Sequence, residues 1–147
     1  MLHDEELTRQ IIGAAIEVHR ELGPGLLESA YEECLCHELN TQLIPFRRQV
    51  PFPVAYKGIR LDCGYRADLI VDSRVVIELK AIESLTDLHK AQLLTYLRIT
   101  GMKVGLLLIS ILRFSRTEWY DLFCSAGLAL RVLRASVVNC IGMKYGR

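Results

Sequence analysis

The sequence predicts an α/β domain in which helices pack on a central sheet. Two amphipathic helical segments come first, dense β-branched runs follow, and one more helix leads into a buried strand. The chain has 147 residues, of which 51% are hydrophobic, so it can form a substantial core. Together these observations indicate a single domain with a layered architecture.

Two helices are predicted before the sheet. Apolar residues recur at helical spacing in residues 5–22, and Gly23-Pro24-Gly25 is expected to end this helix. A second amphipathic helix is expected over residues 26–39. The predicted buried positions are Leu7, Ile11, Ala15, Val18 and Leu22 in the first helix and Leu27, Tyr31, Leu35 and Leu39 in the second.

Strand-like alternation begins at residues 50–56. Pro51 and Pro53 cannot donate to a ladder, so this strand is expected at an edge or to be irregular. Lys57-Gly58 is predicted to be a turn, after which residues 59–63 alternate again as a further strand.

The next segment predicts a tight hairpin. Residues 66–72 (RADLIVD) and 74–80 (RVVIELK) are two dense apolar runs that flank Ser73. If the hairpin pivots on Ser73, Asp68 lies opposite Glu78, with Cβ atoms about 5 Å apart. Two ionised carboxylates at that distance repel each other, and a divalent cation with its preference for oxygen ligands relieves the repulsion.

Lys80 is expected on the same face as Glu78, because side chains two residues apart in a strand point the same way. It could orient or deprotonate an attacking water, or neutralise charge on a phosphate. The alternative is a surface hairpin with ordinary charges. The strongly apolar strands favour a functional site, because charges there are costly unless used.

One more helix and one more strand complete the α-α-β-β-β-β-α-β order. The helix is expected over residues 86–100, capped by Ser84 or Thr86 and ended by Gly101. Residues 103–110 are expected to form a buried strand.

The last predicted helix carries candidate substrate-binding residues. Gln92 and Tyr96 share a helix face and can point together at a phosphate or base, although simple packing explains such a pair as well. His89 lies on the same helix face. It is a candidate metal ligand, phosphate contact or rim residue, and the rim position is favoured. Arg66 and Lys90 are further candidate phosphate contacts.

The second helix opens with Glu28, in the turn where the helix dipole favours a carboxylate in any case. The functional interpretation is that Glu28 reaches the metal site from a helix packed over the hairpin. Tyr31, one turn on, would pack or donate nearby, whereas Glu32 and Glu33 are expected to be solvated.

Composition limits the protein class. The 18 Lys+Arg and 17 Asp+Glu give no overall basic footprint for a polyanion. Five cysteines without a Cys-x-x-Cys pair, after a polar opening segment unlike a secretory leader, predict free thiols in a reducing cytoplasm. No apolar run reaches the roughly 18 residues that a membrane span requires.

Four motifs in order resemble the small bacterial GxxExxY family, which is assigned to the PD-(D/E)XK nuclease superfamily. They are Gly25-x-x-Glu28-x-x-Tyr31, RADLIVD, IELK and His89-x-x-Gln92-x-x-x-Tyr96, spread over residues 5–109. The resemblance implies a restriction-endonuclease-like core, with a mixed central sheet flanked by helices, and a divalent metal, usually Mg²⁺ or else Mn²⁺. On that pattern Asp68, Glu78 and Glu28 form the acidic metal site, Lys80 is catalytic, and Gln92 with Tyr96 forms an accessory motif.

The expected organisation is a nuclease-like domain over residues 1–112 and a divergent tail over 113–147, in which 126–138 could form a helix. The expected function is Mg²⁺-dependent hydrolysis of phosphodiester bonds in DNA or RNA. One alternative is a catalytically weak nuclease-fold module that binds nucleic acid or a protein. Another is a homodimer through the apolar tail, and specificity could come from a protein partner.

Overall fold

A computed structural model of the chain describes residues 2–83 and 86–110. Helices and strands in these residues follow the order α1 (Leu2–Leu22), α2 (Glu28–Thr41), β1 (Phe46–Tyr56), β2 (Ile59–Val71), β3 (Val75–Lys80), α3 (Asp87–Thr100) and β4 (Val104–Ile109). The strands form one mixed sheet in the order β1-β2-β3-β4. Both ladders on β2 are antiparallel, and β3 pairs with β4 in parallel.

The first two helices form as predicted and differ only at their ends. Most of the predicted apolar positions are buried, which confirms the helical periodicity. The exceptions are Leu22, 56% exposed in the last turn of α1, and Leu27, 73% exposed at the N-cap of α2. Gly23, at a φ of 74°, follows α1 and donates its N–H to the carbonyl of His19.

The prediction of a separate strand at 59–63 is wrong. Residues Ile59–Val71 form one continuous strand, because β1 accompanies it from the pair Tyr56↔Ile59 to the pair Phe46↔Val71. The register shifts between Phe52 and Val54, and Gly64 lies in the displaced part of β2 at a φ of 79°. β1 is an edge strand, as its prolines predicted, and Lys57-Gly58 forms the turn.

Apolar clusters cover both faces of the sheet. One cluster joins α1 and α2 to the face that carries Val75, Ile77 and Leu79. The other joins α3 to the opposite face, where Val76 and Leu107 lie. The sheet is therefore the middle layer between helices, and β4, buried along its whole length, needs the near-continuous apolar sequence it has.

The third helix is defined by its ends. The Thr86 hydroxyl accepts the backbone N–H of His89, which confirms Thr86 as the cap, and Gly101 ends the helix in the left-handed region. α3 packs closely on β4, where a Cβ on Gly105 would lie 2.9 Å from Leu93 Cδ1.

Other predictions concern the chain as a whole. None of the helices within residues 2–83 and 86–110 is long and apolar enough to cross a bilayer. Cys34, Cys36 and Cys63 are free thiols. The tail predicted at 113–147, its helix at 126–138 and the domain boundary at 112 lie outside the described residues.

Candidate functional site

The candidate site lies where β2 and β3 separate. Their ladder contains the pairs Val71↔Val75, Ile70↔Val76 and Leu69↔Ile77, which is the register predicted from a pivot at Ser73. At the next position the side chain of Asp68 replaces backbone pairing, and its Oδ2 accepts the N–H of Leu79 at 2.8 Å. The Asp68 carboxylate thus lies between the two strands at the point where they separate.

Glu78 occupies the buried side of this space. Only 6% of the residue is exposed, and its Oε2 lies 3.7 Å from Lys80 Nζ. Its Oε1 is buried and has no hydrogen-bond partner among the described residues. Burial and, to a lesser extent, the charge of Asp68 raise the pKa of Glu78 to about 7, against the opposing charge of Lys80.

Burial also raises the pKa of Asp68. Hydrogen bonds from the Leu79 N–H and the Gln49 amide oppose this shift, as does the charge of Lys80. Two carboxylates that resist ionisation side by side, one with an unpartnered buried oxygen, have the oxygen chemistry that a hard divalent cation requires. The residues present therefore fit a divalent metal ion.

The carboxylate pair is not extended into a larger ligand set. Within residues 2–83 and 86–110, no group of three or more His, Cys, Asp or Glu side chains is placed to hold a metal ion. Glu28, predicted as a third ligand, is exposed, and its Oε1 accepts the N–H of Ala81 at 2.9 Å. Glu28 thus contacts the end of β3, one residue beyond Lys80.

Tyr31, expected to pack or donate near the site, lies in the core between α1 and α2. It is 1% exposed, and its hydroxyl donates to the carbonyl of Ala15 at 3.1 Å and lies 3.1 Å from His19 Nδ1. A side chain this buried cannot contact a substrate without unpacking the helices. Of the two expected roles of Tyr31, its contacts correspond to packing.

Tyr96 connects α3 to β2 at Arg66, beyond the residues of β2 that pair with β3. Its hydroxyl donates to the carbonyl of Arg66 at 2.7 Å and accepts the N–H of the same residue at 3.1 Å. Its ring meets Tyr65 edge to face, with centroids 5.8 Å apart. Burial raises the pKa of Tyr96, and the charges of Glu78 and Asp68 raise it further, against the hydrogen bond from the Arg66 backbone.

The other α3 candidates differ in their surroundings. Gln92 is exposed on the helix surface. His89 Nδ1 accepts the backbone N–H of Thr86 at 3.2 Å and completes a capping box, a role that differs from the ligand, phosphate-contact and rim interpretations. Lys90 forms an exposed ion pair with Asp87 at 3.3 Å.

The sequence did not reveal that Glu32 and Gln49 belong to this region. Glu32, expected to be solvated, is only 5% exposed and accepts from Arg48 Nε at 2.7 Å and from Gln49 Nε2 at 2.6 Å. Gln49 Nε2 also lies 3.4 Å from Asp68 Oδ1. A weak signal existed, since Glu32 is four residues after Glu28 on the same helix face.

Comparison with known proteins gives one match. A family model described as the PD-(D/E)XK nuclease superfamily matches residues 5–118. No curated protein and no solved structure matches the chain. The matched region contains every described element except the first residues of α1, and its mixed sheet between helices is consistent with a restriction-endonuclease-like α/β fold. This chain therefore belongs to the PD-(D/E)XK nuclease superfamily.

Proposed function

We propose that the chain is a metal-dependent nuclease that hydrolyses phosphodiester bonds in DNA or RNA, with Asp68 and Glu78 as ligands of Mg²⁺ or Mn²⁺. The observation that carries this proposal is the buried Oε1 of Glu78, which has no hydrogen-bond partner among the described residues and lies beside a second carboxylate and a lysine. Membership of a superfamily whose members are generally nucleases supports the same chemistry.

The chain's own residues divide the work. When bound, the cation supplies Lewis acidity at the phosphate. Lys80, with 27% of its side chain exposed, orients the attacking water through Nζ and stabilises negative charge that develops on the phosphate. Glu28 accepts a hydrogen bond from the Ala81 N–H, and this contact fixes the backbone next to Lys80.

Substrate contacts are proposed along α3 and the facing strand. Gln92 is exposed on α3, and Arg66 is exposed on the facing strand β2. The hydrogen bond from Tyr96 to the Arg66 carbonyl connects the two elements. A glutamine amide and a guanidinium there can bind phosphate oxygens. His89 and Lys90 are further proposed phosphate contacts, through donors that their contacts with Thr86 and Asp87 do not use.

Within the superfamily we assign the chain to the GxxExxY group, because Gly25, Glu28 and Tyr31 keep that spacing. We propose a cytoplasmic location, in keeping with the free thiols Cys34, Cys36 and Cys63. Low specificity, or a protein partner or homodimer that supplies it, completes the proposal.

The test compares Asp68→Asn, Lys80→Ala and a control, Lys103→Ala. Lys103 is exposed and precedes Val104, at the opposite end of β4 from the Lys80↔Ile109 pair. Mn²⁺ binding is measured by calorimetry, and cleavage is measured on single- and double-stranded DNA and RNA. We expect Asp68→Asn to lose both metal binding and cleavage, and Lys80→Ala to bind Mn²⁺ but cleave at least about 100-fold more slowly.

Retained cleavage by folded Lys80→Ala protein would contradict the proposed mechanism. Unchanged Mn²⁺ affinity in Asp68→Asn would remove Asp68 from the metal site. Circular dichroism of each variant separates these results from a failure to fold.

A second candidate is a nuclease-fold module that binds nucleic acid with little turnover. It is favoured by one observation, namely that no third ligand joins the two carboxylates in the described part of the chain. Salt-dependent binding of nucleic acid without metal, together with no cleavage in Mn²⁺, would support it over the enzyme.

A further inference from the structure

The edge strand β1 departs from extended geometry at Gln49. This residue has a φ of 48°, in the left-handed region that residues other than glycine, asparagine and aspartate seldom occupy. The flanking pairs are Arg48↔Leu69 and Val50↔Ala67, so Gln49 lies opposite Asp68 in the ladder. The irregular residue of β1 is therefore the one that faces the proposed metal ligand.

The side chain of Gln49 joins two carboxylates. Its Nε2 donates to Glu32 Oε2 at 2.6 Å and to Asp68 Oδ1 at 3.4 Å. An amide nitrogen has two N–H donors and ionised carboxylates only accept, so this arrangement fixes which end of the amide faces the pair. Glu32 is itself held by Arg48 Nε at 2.7 Å.

Asp68 is consequently held at both oxygens. Leu79 N–H binds Oδ2 and the Gln49 amide binds Oδ1. The last torsion of an aspartate is broad when nothing restrains it, so two contacts on different oxygens set the plane of the carboxylate. Each oxygen keeps a further lone pair for a cation.

We propose that Gln49 is a positioning residue, which orients Asp68 for the divalent cation while the buried Glu32 holds the Gln49 amide in place. The inference rests on the proposed metal site at Asp68 and Glu78. It explains why a glutamine occupies a backbone conformation that glycine would adopt without strain, since glycine has no amide to reach Asp68.

The test uses Gln49→Gly, with Leu43→Gly as the matched control. Leu43 also has a positive φ, 57°, and it is 90% exposed. Both substitutions relieve a left-handed residue, and Gln49→Gly also removes a donor to the buried Glu32, so thermal unfolding in metal-free buffer first establishes that each variant is folded at the assay temperature. We expect only Gln49→Gly to weaken Mn²⁺ binding in calorimetry, by about tenfold or more.

Two additional variants separate positioning from folding. Gln49→Asn keeps an amide and tolerates the left-handed conformation, but its side chain is one methylene shorter, so it should weaken Mn²⁺ binding like glycine. Glu32→Gln should weaken binding in the same direction, because the Gln49 amide loses its charged acceptor.

Saturating Mn²⁺ provides the second readout. A positioning residue changes the affinity for the cation, so kcat of Gln49→Gly at saturating Mn²⁺ should return to within about threefold of wild type. Mn²⁺ affinity in Gln49→Gly and Gln49→Asn equal to that of Leu43→Gly would overturn the inference alone. A wild-type protein that binds no Mn²⁺ would overturn the proposed function, and the inference with it.

Discussion

At the scale of single residues, the charges at the site can be neutralised by protonation of a carboxyl group or by a bound cation. Glu78 is buried beside Asp68, and Lys80 at 3.7 Å compensates only one negative charge. The carboxyl of Glu78 therefore takes up a proton in the folded protein at a pH where it is ionised in the unfolded chain.

This difference gives Glu78→Gln a pH-dependent effect on stability. Folding raises the pKa of Glu78 from an ordinary value of 4.5 to about 7, so the folded state binds more protons between these limits. Stability then falls as the pH rises through this window. We expect Glu78→Gln to raise the free energy of unfolding at about pH 8, by on the order of 1–3 kcal/mol, and to have little effect at about pH 4.

Urea unfolding of both proteins in metal-free buffer measures this effect. Glu83→Gln, which changes an exposed carboxylate beyond β3, is the control and should be neutral at either pH. A Glu78→Gln protein that is less stable than wild type at about pH 8 would show that the charged carboxylate stabilises the fold.

At the scale of elements, the start of α3 decides how the helix meets the site. Thr86 and His89 form a capping box, and Tyr96 then fixes the middle of the helix to the Arg66 backbone of β2. The exposed Gln92 lies between these two attachments. The first turn therefore sets the direction of the helix that carries the proposed substrate contacts.

A capping role for His89 and a role as ligand or phosphate contact predict different outcomes for the substitution His89→Gln. His89→Gln places a residue that also completes a capping box, whereas His89→Ala removes that contact. If His89 only caps α3, His89→Gln should keep both stability and cleavage, and His89→Ala should lose about 1 kcal/mol with kcat nearly unchanged. Thermal unfolding and cleavage assays measure both, and a large loss of cleavage in a stable His89→Gln protein would identify a ligand or phosphate contact.

At the scale of the whole molecule, a cation at the proposed site links local charge to global stability. Asp68 and Glu78 come from two strands that separate at this point, and α2 contacts the end of β3 through Glu28. The unfolded chain brings none of these groups together. A cation that binds only the folded state must therefore raise the temperature of unfolding.

We expect Mg²⁺ or Mn²⁺ at about 100 times its dissociation constant to stabilise the wild-type protein by about 2.7 kcal/mol at about pH 8. The Asp68→Asn/Glu78→Gln double variant should show no such shift and should be more stable than wild type without metal. Scanning calorimetry with and without the cation measures both. An equal shift in the double variant would place the cation elsewhere on the protein.

The sequence by itself determined the helices, the buried strands and the register of the site hairpin. These features depend on periodicity and turn chemistry, which are local properties. The pivot at Ser73 fixed the pairs from Val71↔Val75 to Leu69↔Ile77, and the prolines of β1 predicted an edge strand. Asp68 and Glu78, the residues singled out for chemistry, lie one position beyond the last of these pairs, where Asp68 Oδ2 accepts the Leu79 N–H.

Only the tertiary structure decided which polar groups meet. Gln49 and Glu32 are 17 positions apart in the chain, and their contact depends on how α2 packs over the edge of the sheet. The packing of α2 on α1 buries Tyr31 against His19. Pairing with the neighbouring β1 also merged the predicted runs at 59–63 and 66–72 into one strand, which ends at Val71. Burial and long-range pairing are sums over many residues, so no local pattern in the sequence contains them.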